Sequence, residues 1–367
     1  LSRFKWMNEM SEYLTKKEKK KINSAFTFLL SLRCHLHYQS ERDNDRFSFD
    51  DQNDISKKIF KDNNENQSLL SSMTVKMMKI YFNEIRNIKN LTEIFSQILE
   101  ELILKKKKRK AVSKNAKDFN RLDIFLKQIH TGKNSIHRLR AILENIDVMD
   151  DQEVYKSENI NLFKKIFFSL KKHRFLMLCD LGITSKIIPE FKKIQNLPQF
   201  DRFHSLTVGQ HTLEALSILK DLKKKKRKNN YRFFYDQLQK NHYHRALFFA
   251  TLLHDIGKGR GGNHQEKGAK IAKKILIRLN EKPSIVDETA WLINNHSLLS
   301  DCAFKKDLED YSVVRSISKK INNIKRLRTL YLLTVTDISA VEEGLWNNWK
   351  AIMLGQIFLK LEFQINN

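Results

Sequence analysis

Proline and glycine are scarce in this chain, 3 and 10 among 367 residues. A protein of many short strands needs turn residues in quantity, whereas a helical one does not. Cysteine is scarcer still for this length: Cys34, Cys179 and Cys302 stand far apart, with no paired spacing. That excludes a disulfide framework and a thiolate zinc site, and it suits a reducing compartment. Apolar runs are short. None approaches the ~18 residues that span a bilayer, and no secretory signal opens the chain. We therefore expect a cytoplasmic protein with no membrane association. The chain begins with Leu1 at what reads as a helix start, so we expect a fragment or a truncated reading frame lacking an upstream domain.

Acidic residues are also in deficit, 42 against 68 Lys and Arg, for a formal net charge of +26. Such a balance attracts nucleic acid or anionic membrane surfaces. The basic runs "LKKKKRK" (Leu104–Lys110) and "LKKKKRKNN" (Leu222–Asn230) contain no interleaved aromatics to stack on bases. Lys, Asn, Ile and Phe are all heavily used, as A+T-rich codons produce. We read these lysines as solvated loop and helix-end residues, not as a nucleic-acid face.

What is present is a globular composition, 41% hydrophobic and 10% aromatic, in a length that allows two or three domains. Apolar residues recur at helical spacing, as in Phe26, Leu29, Leu30, Leu32 and Leu36. An all-α fold follows. Residues 1–195 read as a helical bundle, with helices over Ser68–Ile88, Leu91–Leu104, around Phe125–Gln128, and over Asn159–Leu181. "DNDRF" (Asp43–Phe47) reads as a loop of capping residues ahead of a helix near Asp50. Gly182 is expected as a helix C-cap and Pro189 as the start of a short element. A boundary at Asn196–Arg202 leads to a second domain over 196–350, and 351–367 form a C-terminal helix or tail.

The second part carries the chemistry. Thr207 and Gln210 form the T-x-x-Q pattern of a capping box, which starts a helix and sets His211 in its first turns. Taken singly, such a His is an ordinary surface or capping residue. "RALFFATLLHDIGKGRGG" is an apolar helix giving out at His254-Asp255, with Gly257 and Gly259 loosening the backbone. An isolated His-Asp dipeptide is common by chance. Here, though, the loosened backbone lets both side chains face one ion, and Lys258 and Arg260 follow as candidates for phosphate contact. Asp337 stands in the apolar helix "LRTLYLLTVTDISAV", where a carboxylate costs several kcal/mol unless paired or bound to a cation. A structural salt bridge competes with a ligand role there. His264 follows the helix cap Asn263, and His296 ends "ETAWLINNHSLLS". Imidazoles and carboxylates without thiolates suit a divalent ion, Mn²⁺ or Mg²⁺ first, with Fe²⁺ or Zn²⁺ as alternatives. Such an ion acidifies water and neutralises phosphate charge.

His211, then His254-Asp255, then Asp337 resembles the signature of the HD superfamily of metal-dependent phosphohydrolases. Beyond it, "IPEF", "FHSLTVGQHT", "LLHDIGKGRGGNH", "CAFKKDL" and "LLTVTDISAVEEGLWNNWK" are similar to the bifunctional uridylyltransferase/uridylyl-removing enzymes of nitrogen signalling, which modify the regulatory protein PII. "FLLSLRCHLHYQSERDNDRFSFDDQNDI" resembles the helical domain that follows their nucleotidyltransferase domain. The resemblance implies hydrolysis of the uridylyl-tyrosine bond of modified PII, with release of UMP. It implies His211, His254, Asp255 and Asp337 as metal ligands, with His264 and His296 holding a second ion or contacting phosphate. Asp255 and Lys258 are the expected catalytic residues, and Arg260 a phosphate contact. Other HD-type nucleotide hydrolysis, or a non-catalytic basic binding module, remain alternatives.

The sequence departs from that family in places. Gly209-Gln210 stands where the family carries Asp-Glu, which keeps the cap but removes a carboxylate from the helix start. The Gly-Ser nucleotidyltransferase motif with its paired aspartates is not found, and no length remains for C-terminal glutamine-sensing domains. Transferase activity is not expected from this chain.

Overall fold

The structure is a computed structural model that describes residues 14–40, 47–60, 67–104, 122–131, 142, 145–146, 148–198, 206–224, 231–342 and 344–367. Among them every regular element is helical. The loop reading of Asp43–Arg46, the runs 105–110 and 225–230, and most of the boundary at 196–202 lie outside the described residues. By α-carbon proximity the described residues fall into two compact units. One is drawn from Leu1–Leu162, Met177–Ile187 and Asn196–Phe200; the other from Phe163–Leu176, Ile188–Gln195 and Asp201–Asn367.

The first unit opens with α1 (Lys16–Ser40), α2 (Phe49–Phe60) and α3 (Gln67–Leu104). Ile22 and Ala25 of α1 bury against Ile88, Leu91, Ile94 and Phe95 of α3. Leu32 and Leu36 bury against Ile55, Met77 and Met78. Leu30, expected on the same apolar stripe, is largely exposed. The two helices expected over Ser68–Ile88 and Leu91–Leu104 are one continuous helix. Lys89 and Asn90 do not interrupt it, because their side chains reach out to the carboxylate and carbonyl of Asp180, at 2.6 and 2.8 Å. α4 (Leu122–Thr131) and α5 (Asp151–Val154) follow. The single helix expected over Asn159–Leu181 is broken into α6 (Ser157–Phe168) and α7 (Lys172–Asp180). Ser169 takes the Lys171 amide on its own hydroxyl at 3.2 Å, a local bond that competes with helix continuation. Gly182 sits at φ +80° between α7 and α8 (Ile183–Ile187), in the left-handed conformation a helix stop favours.

In the second unit Pro189 opens a single 3₁₀ turn (Pro189–Phe191), and α9 (Lys192–Gln195) follows it. The remaining helices are α10 (Val208–Lys223), α11 (Arg232–Gln239), α12 (His244–Leu253), α13 (His264–Arg278), α14 (Pro283–Asn294), α15 (Leu298–Lys305), α16 (Tyr311–Ile321), α17 (Ile324–Ser339) and α18 (Asn348–Asn366). From Ala246 to Leu253 every residue of α12 is buried. A helix apolar all round has to be enclosed, and α10, α14 and α17 enclose this one. Phe167 and Phe175 pack on it as well. Phe167 lies 5.1 Å from Phe249 and, edge-on, 6.1 Å from Phe248, measured between ring centroids. A bidentate pair between Arg326 and Glu288, at 2.9 to 3.2 Å, joins α17 to α14. The enclosed helix therefore ends at a fixed point, and His254-Asp255 come directly after it.

Candidate metal centre

Three helices deliver the site. The capping box expected at Thr207 and Gln210 is formed: Thr207 Oγ1 accepts the Gln210 amide at 3.1 Å, and Gln210 Oε1 accepts the Thr207 amide at 3.0 Å. It fixes the start of α10 and with it His211, which is buried. His254 and Asp255, also buried, lie on the turn that ends α12. Asp337 comes from the last turn of α17, its side chain 26% exposed and so open to a ligand.

These groups converge. Asp337 Oδ1 lies 2.8 Å from His211 Nε2 and 3.3 Å from His254 Nε2. The two imidazole Nε2 atoms are 3.3 Å apart, and His254 Nε2 is 3.4 Å from Asp255 Oδ2. Asp255 also joins a second group: one ligand atom each from Asp255, His264 and His296 lie within 4.8 Å of one another. The structure thus brings together His211, His254, Asp255, Asp337, His264 and His296, with Asp255 common to two sets.

Two backbone carbonyls orient the imidazoles. His254 Nδ1 donates to the Thr251 carbonyl at 3.1 Å, and His296 Nδ1 donates to that of Ile293 at 2.8 Å. A carbonyl only accepts, so each Nδ1 carries hydrogen and each neutral ring turns a lone pair at Nε2 toward the cluster. Burial works against a charge on His254, but the carboxylates of Asp255 and Asp337 outweigh it and raise its pKa to about 10. Burial likewise opposes ionisation of Asp337, yet the charge of His254 and the hydrogen bond from His211 hold its carboxyl well below the usual range. Burial and then the charge of His254 depress His296, and burial depresses His264. The paired carboxylates therefore call for positive charge at His254, which a proton or a cation supplies. Asp255 Oδ1 is buried and accepts no hydrogen bond among the described residues. A buried carboxylate oxygen so placed, in an all-nitrogen-and-oxygen donor set, fits a divalent ion.

The loop after the cluster divides its cations. Lys258 Nζ lies 2.7 Å from Asp255 Oδ2, at the cluster's edge. Arg260, expected as a phosphate contact, is taken up by backbone instead: Nε donates to the Ile256 carbonyl at 3.1 Å and a terminal nitrogen to that of Glu190 at 3.2 Å. It fastens the loop to the 3₁₀ turn. Glu190 was not singled out from the sequence, yet it also receives both terminal nitrogens of Arg278, at 3.0 and 2.7 Å. Its only sequence signal was a place in "IPEF".

Glycine sets the close approaches. A Cβ on Gly257 would fall 2.0 Å from the His264 carbonyl oxygen and 2.7 Å from the Gly268 nitrogen. Only a bare α-carbon lets α13 come near enough to bring in His264. Gly209 is similar: a Cβ there would meet the Gln195 α-carbon at 2.5 Å and its carbonyl oxygen at 2.8 Å. The Gly209 departure is therefore matched by the backbone of Gln195, whose carbonyl accepts from Thr207 Oγ1 at 2.9 Å. No carboxylate fits at 209 in this packing.

Comparison with known proteins agrees with this reading of the fold and site. Residues 2–96 match the family described as GlnD PII-uridylyltransferase, and residues 208–332 match the HD domain. The chain is similar to the bifunctional uridylyltransferase/uridylyl-removing enzyme of Azospirillum brasilense, at 32% identity over 92% of this chain and 39% of the relative. It is similar to those of Rhodospirillum rubrum, at 30% over 92% and 39%, and of Novosphingobium aromaticivorans, at 30% over 95% and 41%. It spans about two fifths of the length of these relatives. The chain carries both the GlnD PII-uridylyltransferase segment and an HD domain, and is homologous along almost its whole length to the bifunctional uridylyltransferase/uridylyl-removing enzymes.

Proposed function

We propose that this chain is a metal-dependent phosphodiesterase that removes UMP from uridylylated PII, residues 196–350 forming the hydrolytic domain and 1–195 the helical domain before it. The observation that carries the reading is the convergence of His211, His254, Asp255 and Asp337 from three helices, in the order expected of an HD hydrolase. His211 and His254, with Asp255 and Asp337, would hold a first ion, and Asp255 with His264 and His296 a second. Mn²⁺ or Mg²⁺ suits the donor set best, and bound there it supplies Lewis acidity toward phosphate and acidifies water.

The chain's own groups do the rest. The carbonyls of Thr251 and Ile293 keep the His254 and His296 lone pairs facing the site. Asp255, common to both sets, ties them together. Lys258 brings an ammonium beside Asp255, where it offsets the charge that develops on a reacting phosphoryl group.

The test offers the purified chain and Mn²⁺ three substrates: uridylylated PII, a cyclic nucleotide and a nucleoside triphosphate. UMP release from uridylylated PII, well above turnover of the other two, supports the reading. Faster turnover of either nucleotide would make the chain an HD hydrolase of another kind. Binding of nucleic acid that weakens steeply with salt, without turnover of any substrate, would favour a basic binding module.

A further inference from the structure

A cavity of about 430 Å³ opens on the second unit, lined by residues that the metal centre does not use, among them Glu214, Ile218, Tyr231, Ser339 and Trp346. Its walls grow from the elements that carry two of the clustered groups. Glu214 lies three residues beyond His211 on α10, less than a turn of helix, and Ile218 continues that face. Ser339 ends α17 two residues after Asp337, and His211 and Asp337 are themselves 2.8 Å apart.

The lining has a definite polarity. Tyr231 and Trp346 stand with ring centroids 5.9 Å apart at a shallow 31°. Trp346 is 7% exposed, and its indole N–H has no acceptor among the described residues. A buried donor of this kind is normally satisfied, so one facing a cavity points to a ligand acceptor. Tyr231 donates its hydroxyl to Ser339 Oγ at 3.2 Å, which leaves its oxygen able to accept. Glu214 and Glu342 add two exposed carboxylates at the rim. They repel a phosphate and accept hydrogen bonds.

We infer that the Tyr231–Trp346 cavity seats the nucleobase of the nucleotidyl group whose phosphorus is handled at the metal centre, a flat ring with an N–H between two carbonyls. The indole N–H donates to a ring carbonyl, a rim carboxylate accepts the ring N–H, and the aromatic pair flanks the ring. This inference rests on the function proposed above.

The test measures binding of UMP, CMP, ribose 5-phosphate and inorganic phosphate by calorimetry to the full chain with Mn²⁺, for wild type, Trp346→Phe and Glu214→Gln. Wild type is expected to bind UMP about tenfold or more tighter than ribose 5-phosphate, the worth of a hydrogen bond with stacking. CMP, which lacks the ring N–H, falls behind UMP. Both variants should lose most of that margin while keeping wild-type affinity for phosphate and Mn²⁺. Glu214 is solvent-exposed, so Glu214→Gln decides the matter if Trp346→Phe does not fold. Equal affinity for UMP and ribose 5-phosphate, equal affinity for UMP and CMP, or variants that keep the margin would overturn the inference. A UMP margin without hydrolysis of uridylylated PII keeps the cavity and discards the proposed function; hydrolysis without a margin does the reverse.

Discussion

Gly209 shows how one residue can be misjudged without its neighbours. In the sequence it stands as a carboxylate lost from a helix start. In the fold its α-carbon abuts the Gln195 backbone, so the position needs hydrogen and nothing larger. Gly209→Asp should therefore not restore the site. It is expected to cost about 1–3 kcal/mol, as overpacking does, seen as a lower midpoint in denaturant unfolding, and to lower metal affinity by shifting His211. Glu190 supplies a pH dependence. Burial would raise its pKa, but the hydrogen bonds and charge of Arg278 hold it below the ordinary glutamate value. A depressed carboxylate contributes stability that is complete above its unfolded pKa and lost as pH falls through the folded one. The wild type should thus lose an increment of stability between mildly acidic pH and the folded pKa that Glu190→Gln never has. The two melting curves should approach one another in acid and separate toward neutrality, by about 1 kcal/mol for a partly exposed pair. A constant difference across that range would contradict this role.

At the scale of the element, what could be read in advance was what local chemistry determines. The caps at Thr207 and Asn263, the Pro189 turn and the Gly182 stop all depend on residues within one turn of each other, and the structure contains each of them. The misread elements were decided elsewhere. α3 runs unbroken because Asp180, far along the chain, satisfies Lys89 and Asn90. Arg260 looked like a phosphate contact because its partners are backbone carbonyls, which carry no sequence signal. The turn after α12 and the start of α13 form one joint through Gly257. Gly257→Ala would push against the His264 carbonyl and separate the two. We predict that it lowers Mn²⁺ stoichiometry by calorimetry from two toward one, because His264 leaves the second set while the first remains. Unchanged stoichiometry would show that α13 adjusts without moving His264.

For the molecule as a whole, the all-α class follows from the shortage of proline and glycine together with helical apolar spacing. The order His211, His254-Asp255, Asp337 was legible because a buried helix ended in two polar residues and a second apolar helix contained a carboxylate, features that packing alone does not favour. That these groups meet depends on three helices enclosing α12, a tertiary fact beyond any local pattern. The shared position of Asp255 and the cavity at Trp346 came only with the fold. The central claim is that this cluster hydrolyses a phosphodiester with a bound ion. Its most direct test is the rate of UMP release from uridylylated PII across a Mn²⁺ titration, for wild type, His254→Ala and Asp255→Ala. The account predicts saturable, chelator-sensitive release by wild type and a loss of at least about a thousandfold in either variant, of the size seen when a principal electrostatic group is removed. Release that is independent of Mn²⁺, or that survives both substitutions, would contradict it.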